Sequence, residues 1–125
     1  INCTADNNSV ADDPTAWDVY AMANVQAPTG DPEYWFTVFA TSDATRNQGK
    51  YSSEKLDELE KELSAEFDIE KRAELAVQMQ QTVLDDHAFV FCSFLKMSMI
   101  SKANVTGYES HACDYYQVTA DLDIN

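Results

Sequence analysis

Basic residues are scarce in this chain. Its 125 residues include 8 Lys and Arg against 22 Asp and Glu, so the formal net charge is −14 at pH 7. Proteins that bind nucleic acid use Lys and Arg to neutralise phosphates, and anionic lipid head groups repel an acidic surface in the same way. Nucleic acids and anionic membranes are therefore poor candidates for partners.

Glycine, proline and long apolar runs are also few. With 3 Gly and 3 Pro, the chain cannot be fibrous or of low complexity. It has no G-x-S-x-G, H-E-x-x-H or phosphate-cradling glycine loop, so we do not expect an enzyme. The longest apolar run, residues 88–95, is far shorter than the roughly 20 residues that cross a bilayer. No transmembrane segment is predicted, and the start at Ile1 indicates a processed protein or a piece of a longer one.

Cysteine is too rare for a disulfide framework. Cys3, Cys92 and Cys113 allow one disulfide with a thiol left over, or none, and their spacing fits no C-x-x-C pattern. Because unpaired thiols behave as small apolar groups, we expect Cys92 to be buried.

The residues that are present suit one domain with a core. The chain is 45% hydrophobic, and a domain of this length buries roughly two-thirds of its unfolded surface. We predict a single domain over residues 1–125, with an irregular polar segment at 1–16. Runs of β-favouring residues predict strands at 17–22, 89–100 and 115–118, and a short extended piece or turn at 104–108.

Three helices are predicted between these strands. The first begins at Asp31-Pro32 and runs through Phe39, because Asp accepts from the first amides of a helix and Pro suits its first position. A strand is the alternative for so short a run. Ser53 and Asp68 are predicted to cap two amphipathic helices, the second ending near His87. Their apolar residues are Leu56, Leu59 and Leu63 in one, and Ala73, Ala76, Met79, Val83 and Leu84 in the other. The predicted fold class is α/β, a small sheet with about three helices packed on it.

Three polar residues are candidates for chemistry. His87 falls at the predicted end of a helix, where the helix dipole favours an imidazolium. His111 stands close to Cys113 and Asp114, so it is a candidate metal ligand. Arg46 lies in a polar loop, where its planar fork suits either a neighbouring carboxylate of the protein or a carboxylate of a ligand.

Seven segments of the chain form a pattern in their order and spacing. They are residues 17–20, 31–36, 46–57, 68–75, 80–81, 89–102 and 104–108. Together they resemble the C-terminal lobe of the extracellular solute-binding proteins that serve ABC importers for dipeptides, oligopeptides and nickel. The resemblance spans about residues 15–125.

The resemblance implies a fold and a function. The fold is a partial lobe of the periplasmic-binding-protein type II fold, and the function is capture of a ligand between two hinged lobes. The whole lipoprotein is expected outside the cytoplasmic membrane, held by an N-terminal lipid anchor absent from this chain, and its partners are an ABC permease and its ATPase. No cofactor is implied, although nickel is a possible transported ligand.

The resemblance also suggests where the ligand binds. The implied ligand-binding residues are Asn24, Val25, Gln26, Pro28, Thr29, Arg46 and Asn47. Peptide binders of the family carry an aspartate where Pro28 stands. This departure favours a nickel chelate as the ligand, whose carboxylates Arg46 would hold. A short peptide stays the other candidate ligand. The alternative from another class is a stand-alone secreted interaction domain with no small-molecule site.

Overall fold

The computed structural model describes residues 11, 13–94, 100–109, 111 and 118–125. Within that part of the chain it contains three helices and one two-stranded antiparallel sheet, which confirms a mixed helix-and-sheet fold in its coarse form. The helices are α1 (Glu33–Trp35, continued by a π-helical turn, Phe36–Ala40), α2 (Glu54–Ala65) and α3 (Ile69–Asp85). The strands are β1 (Val105–Thr106) and β2 (Asp123–Ile124), with Val105 opposite Ile124.

Helix α1 begins where the sequence predicts. The Glu33 backbone N–H donates to Asp31 Oδ1 at 2.9 Å, and Pro32 occupies the position before the first helical residue. The π-helical turn closes with a bond from the Thr41 N–H to the Phe36 carbonyl at 3.0 Å. This segment buries Phe36, Phe39 and Ala40, as its density of aromatic residues predicts.

Helices α2 and α3 form an antiparallel hairpin that supplies most of the core. Their predicted apolar faces meet, except that Ala73 and Leu84 remain exposed. Asp68 caps α3, because its Oδ1 accepts from the Glu70 and Lys71 N–H groups at 3.1 Å each. Ser53 occupies the predicted position before α2 without a capping hydrogen bond from its side chain. The buried residues of the hairpin are Leu56, Leu59, Leu63, Ala76, Met79, Thr82 and Val83.

The predicted strands fare worse than the helices. Residues 17–22 form no strand, and Val19 is 86% exposed, so the prediction of a buried strand is wrong there. Residues 89–94 are also irregular, while 95–99 and 115–117 lie outside the described residues. A β-favouring run stays irregular where no neighbouring strand pairs with its backbone, and only β1 and β2 pair in the described part of the chain.

The sheet that does form is short, and Gly107 beside it packs closely against the backbone of Asp121. β1 falls inside the predicted extended piece at 104–108, whereas β2 was not predicted. Gly107 has φ +75°, and a Cβ there would lie 1.7 Å from the Asp121 carbonyl oxygen. Only glycine fits where the two ends of the sheet come this close.

The segment after α3 packs over α1 through aromatic rings. Trp35 makes an edge-to-face contact with Phe89 at a centroid distance of 5.2 Å and lies 5.5 Å from Phe91. Tyr51 meets Phe89 from another side at 6.1 Å. Cys92 follows directly and is exposed with a free thiol, so its predicted burial is wrong. Most of the predicted N-terminal segment lies outside the described residues, as do Cys3 and Cys113. In the part of the chain that the structure describes, no helix is long and apolar enough to cross a membrane.

Candidate functional site

The predicted ligand loop at residues 24–30 contains a tight turn directly before α1. The Gly30 N–H donates to the Ala27 carbonyl at 3.0 Å, and Gly30 has φ +89°. Proline is favoured at the second position of such a turn and glycine at the fourth, which accounts for Pro28 and Gly30. Pro28 is buried, and the fixed φ of its ring favours the turn conformation.

The other predicted residues of this loop are more accessible. Val25, Gln26 and Thr29 are exposed, and Asn24 is half-buried with its amide against the Met22 sulfur. Their side chains are therefore open to a ligand approaching the loop. Their role in binding stays a prediction.

Asn47 has its side chain committed to the protein itself. It is 7% exposed, and its amide group donates to the Thr41 carbonyl at 3.1 Å and to the Tyr51 carbonyl at 2.6 Å. Its Oδ1 accepts from the Tyr51 N–H at 2.9 Å. Both amide hydrogens are used, so Asn47 holds the loop between α1 and α2 in shape.

Arg46 differs from Asn47 because its backbone is held in place while its side chain makes no ion pair with a described residue. Its backbone N–H donates to the Val38 carbonyl at 2.9 Å, which fixes the position of the residue. Its side chain is exposed, and no ion pair with any described residue engages it. Of the two alternatives at this position, the salt bridge within the protein is absent from the described part, and the guanidinium remains available for a carboxylate.

The ionic centre at Arg72 was not predicted from the sequence. One guanidinium nitrogen lies 2.8 Å from Asp31 Oδ2 and 2.8 Å from Glu33 Oε2, and the other donates to the Leu63 and Glu66 carbonyls at 2.7 and 2.9 Å. The hydrogen bond to Glu33, followed by the one to Asp31, raises the pKa of Arg72. The centre ties the start of α1 to the end of α2 and the first turn of α3. A lone basic residue on the core side of α3 was the signal that could have found it.

Tyr51 joins the loop between α1 and α2 to the end of α3. Its hydroxyl donates to Asp86 Oδ2. Partial burial and then this bond raise the pKa of the Tyr51 phenol. The loop that presents Arg46 is therefore held at Asn47 and again at Tyr51.

A small polar hollow lies beside the same loop. Its volume is about 230 Å³, somewhat below the range of about 300–1,000 Å³ typical of ligand pockets. The Ser42 N–H donates to Asp57 Oδ1 there at 2.9 Å. The lining residues are Thr41, Ser42, Asp43, Asp57, Glu60 and Lys61. With three carboxylates against one ammonium, the hollow suits a cationic group better than a carboxylate.

The two histidines lie apart in the sequence and differ in setting. His87 follows the end of α3, where its Nδ1 lies 2.8 Å from the Leu84 carbonyl, which agrees with a helix-end role. His111 is exposed, and its neighbours Cys113 and Asp114 lie outside the described residues, so its metal role stays a prediction. Within the described ranges, no three His, Cys, Asp or Glu side chains form a metal-binding group.

Comparison with known proteins adds no family. No protein family model matches the chain, and no curated protein and no solved structure matches it either.

Proposed function

We propose that the chain is part of the C-terminal lobe of a solute-binding protein that captures its ligand for an ABC importer. In this proposal the fold is a partial lobe of the periplasmic-binding-protein type II fold. The full-length protein is extracellular or periplasmic, is tethered by an N-terminal lipid anchor outside this chain, and delivers a nickel chelate or a short peptide to a permease and its ATPase. The ligand stabilises a closed state by contacting both lobes.

The observation that carries the proposal is the unused guanidinium of Arg46. The chain has a large excess of carboxylates, yet none in the described part pairs with this side chain. The backbone around it is fixed by Asn47 and by the bond to Val38, so binding a ligand requires little further ordering of the backbone. Both proposed ligands carry carboxylates, which an arginine binds through two parallel hydrogen bonds.

Exposed apolar side chains give a second line of support. Several segments present large apolar residues to solvent, among them Val19, Phe67, Phe94 and Ile100. Such exposure is what we expect where the covering strands and helices belong to a larger lobe. A lobe whose remaining strands and helices lie outside this chain accounts for it, and for strands of only two residues.

Calorimetry on the full-length protein tests the proposal. Free nickel, nickel–histidine and a mixture of short peptides are titrated separately, and each is also followed by its effect on the melting temperature. A ligand at a hundredfold excess over its Kd stabilises the folded state by about 2.7 kcal/mol. If none of the three gives heat or a melting shift, the proposal fails. Genes for a permease and an ATPase beside the parent gene, and an upstream lipobox cysteine, are independent genomic support.

The second candidate function is a stand-alone interaction domain. The observation that favours it is a row of exposed apolar side chains along α3, which includes Ile69 and Val77 and is interrupted by Gln80. Such a domain has no small-molecule site, so it would give no response to any of the three ligands above.

A further inference from the structure

Helix α3 carries apolar side chains on two sides. The inner side is buried at Ala76, Met79 and Val83, and the last two share a core cluster with the leucines of α2. The outer row, a second set of apolar residues, is exposed to solvent. It consists of Ile69, Ala73, Val77 and Leu84. The three larger residues, Ile69, Val77 and Leu84, are 83%, 62% and 49% exposed.

The spacing of the outer row makes it one surface. Residues four apart lie one above the other on a helix, and the span from Ile69 to Leu84 corresponds to roughly 22 Å at 1.5 Å per residue. Gln80 occupies the remaining position on this side of the helix. The row therefore offers about four turns of helix surface with a single polar position.

A shallow depression, open to solvent, lies on this side of α3. It is lined by Ala73, Glu74, Val77 and Gln78, all residues of the same helix. The small side chain of Ala73 allows close approach, and side chains spaced at four residues form the ridges between which another helix packs. A straight, narrow apolar strip of this length matches the apolar face of an amphipathic helix.

The charged residues beside the outer row indicate which kind of partner helix would bind there. The solvent side of the outer row is edged by Glu70, Glu74 and Asp85, whereas the two basic residues of α3 are already paired, Lys71 with Glu66 and Arg72 with Asp31 and Glu33. A second copy of this chain would bring its own −14 charge and the same acidic edge, which like-charge repulsion opposes. A partner with Lys and Arg beside its apolar face is complementary.

We propose that the outer row of α3 docks an amphipathic helix of a separate partner polypeptide, with Lys and Arg along the edges of its apolar face. The proposal does not rest on solute capture. Its experiment uses a peptide in place of the transported ligands, so the two proposals fail independently.

The test is a binding titration with two synthetic peptides of about 18 residues. Both carry the same Leu and Ala face, and one has Lys where the other has Glu at the flanking positions. Fluorescence anisotropy measures their binding to the full-length protein, and its Val77→Glu and Val90→Glu variants are measured in parallel. Val90 is an exposed valine outside α3, so the control makes the same chemical change away from the row.

We expect the Lys peptide to bind at least about tenfold more tightly than the Glu peptide at low salt, with the difference shrinking as salt is added. Val77→Glu is expected to weaken binding of the Lys peptide by about tenfold or more, and Val90→Glu by less than about twofold. Circular dichroism confirms that both variants fold.

Three results would overturn the proposal. The first is equal affinity of the Val77→Glu and Val90→Glu variants for the Lys peptide. The second is a dimer of the protein in light scattering that Val77→Glu dissociates, which assigns the row to a second copy. The third is no binding of the Lys peptide together with a large loss of stability in Val77→Glu, which means that the same polypeptide already covers the row.

Discussion

Replacing Asn47 is expected to loosen the loop that presents Arg46. Asn47→Ala removes three hydrogen bonds in a site where the side chain is 7% exposed. At a net contribution of about 1 kcal/mol per hydrogen bond, the loss is about 2–3 kcal/mol. For a chain of this length that corresponds to a fall of roughly 10 °C in melting temperature, measured by circular dichroism.

The matched control is the neighbouring residue. Gln48 has a buried Oε1 with no hydrogen-bond partner among the described residues, so Gln48→Ala breaks no hydrogen bond of that oxygen and is expected to destabilise the protein less than Asn47→Ala does. If Asn47→Ala melts as the unmodified protein does, the structural role assigned to Asn47 is wrong. Loss of ligand binding in Asn47→Ala at unchanged stability would instead place Asn47 in the ligand site.

A second substitution at the same position adds a pH signature. In Asn47→Asp a carboxyl oxygen faces two carbonyl oxygens, those of Thr41 and Tyr51. The folded state then favours the protonated acid, which raises its pKa above the unfolded value of about 3.9. The stability of this variant is therefore greatest below that value and is lost as pH rises through the folded pKa. A pH-independent melting difference from the unmodified protein would contradict this reasoning.

Other substitutions test the core, the cap and the tyrosine. Leu63→Ala is expected to cost about 3 kcal/mol in urea unfolding because Leu63 is fully buried, whereas Ile69→Ala at an exposed site costs less than about 0.5 kcal/mol; similar costs would refute the assigned packing. Asp68→Ala removes the α3 cap and is expected to cost about 1 kcal/mol, while Asp68→Asn retains most of it. The raised pKa of Tyr51, caused first by burial and then by Asp86, means that its stabilisation is present below about pH 10 and lost as pH rises through the folded pKa. Tyr51→Phe should abolish that alkaline loss in melting curves, and an unchanged alkaline profile would count against it.

The helices were predictable because their signals are local. The spacing of the leucines in α2 and the carboxylate of Asp68 act within one helix, and α2 and α3 form where these patterns place them. Strands depend on partners distant in sequence, so the β-favouring runs at 17–22 and 89–94 could not reveal whether any partner exists.

The candidate site was less predictable for the same reason. The Arg72 centre joins residues about 40 positions apart in sequence, and nothing in the local pattern connects them. Asn47 was predicted to contact a ligand, yet its polar groups meet the backbone of its own loop. A polar side chain in a loop satisfies either role, and only its surroundings in the fold distinguish them.

The most direct test of the central claim is a titration of the full-length protein and its Arg46→Gln variant with nickel–histidine and with short peptides. Arg46 is exposed and unpaired in the described part of the chain, so the substitution should leave the melting temperature of the free protein unchanged. A hydrogen bond to a charged group contributes about 1.5–3 kcal/mol, and we therefore expect affinity for the bound ligand to fall by roughly ten- to a hundredfold. Lys102→Gln, which removes an exposed positive charge elsewhere, should leave affinity unchanged. Equal affinities for the unmodified protein and Arg46→Gln would contradict the assignment of Arg46 as the carboxylate-binding residue.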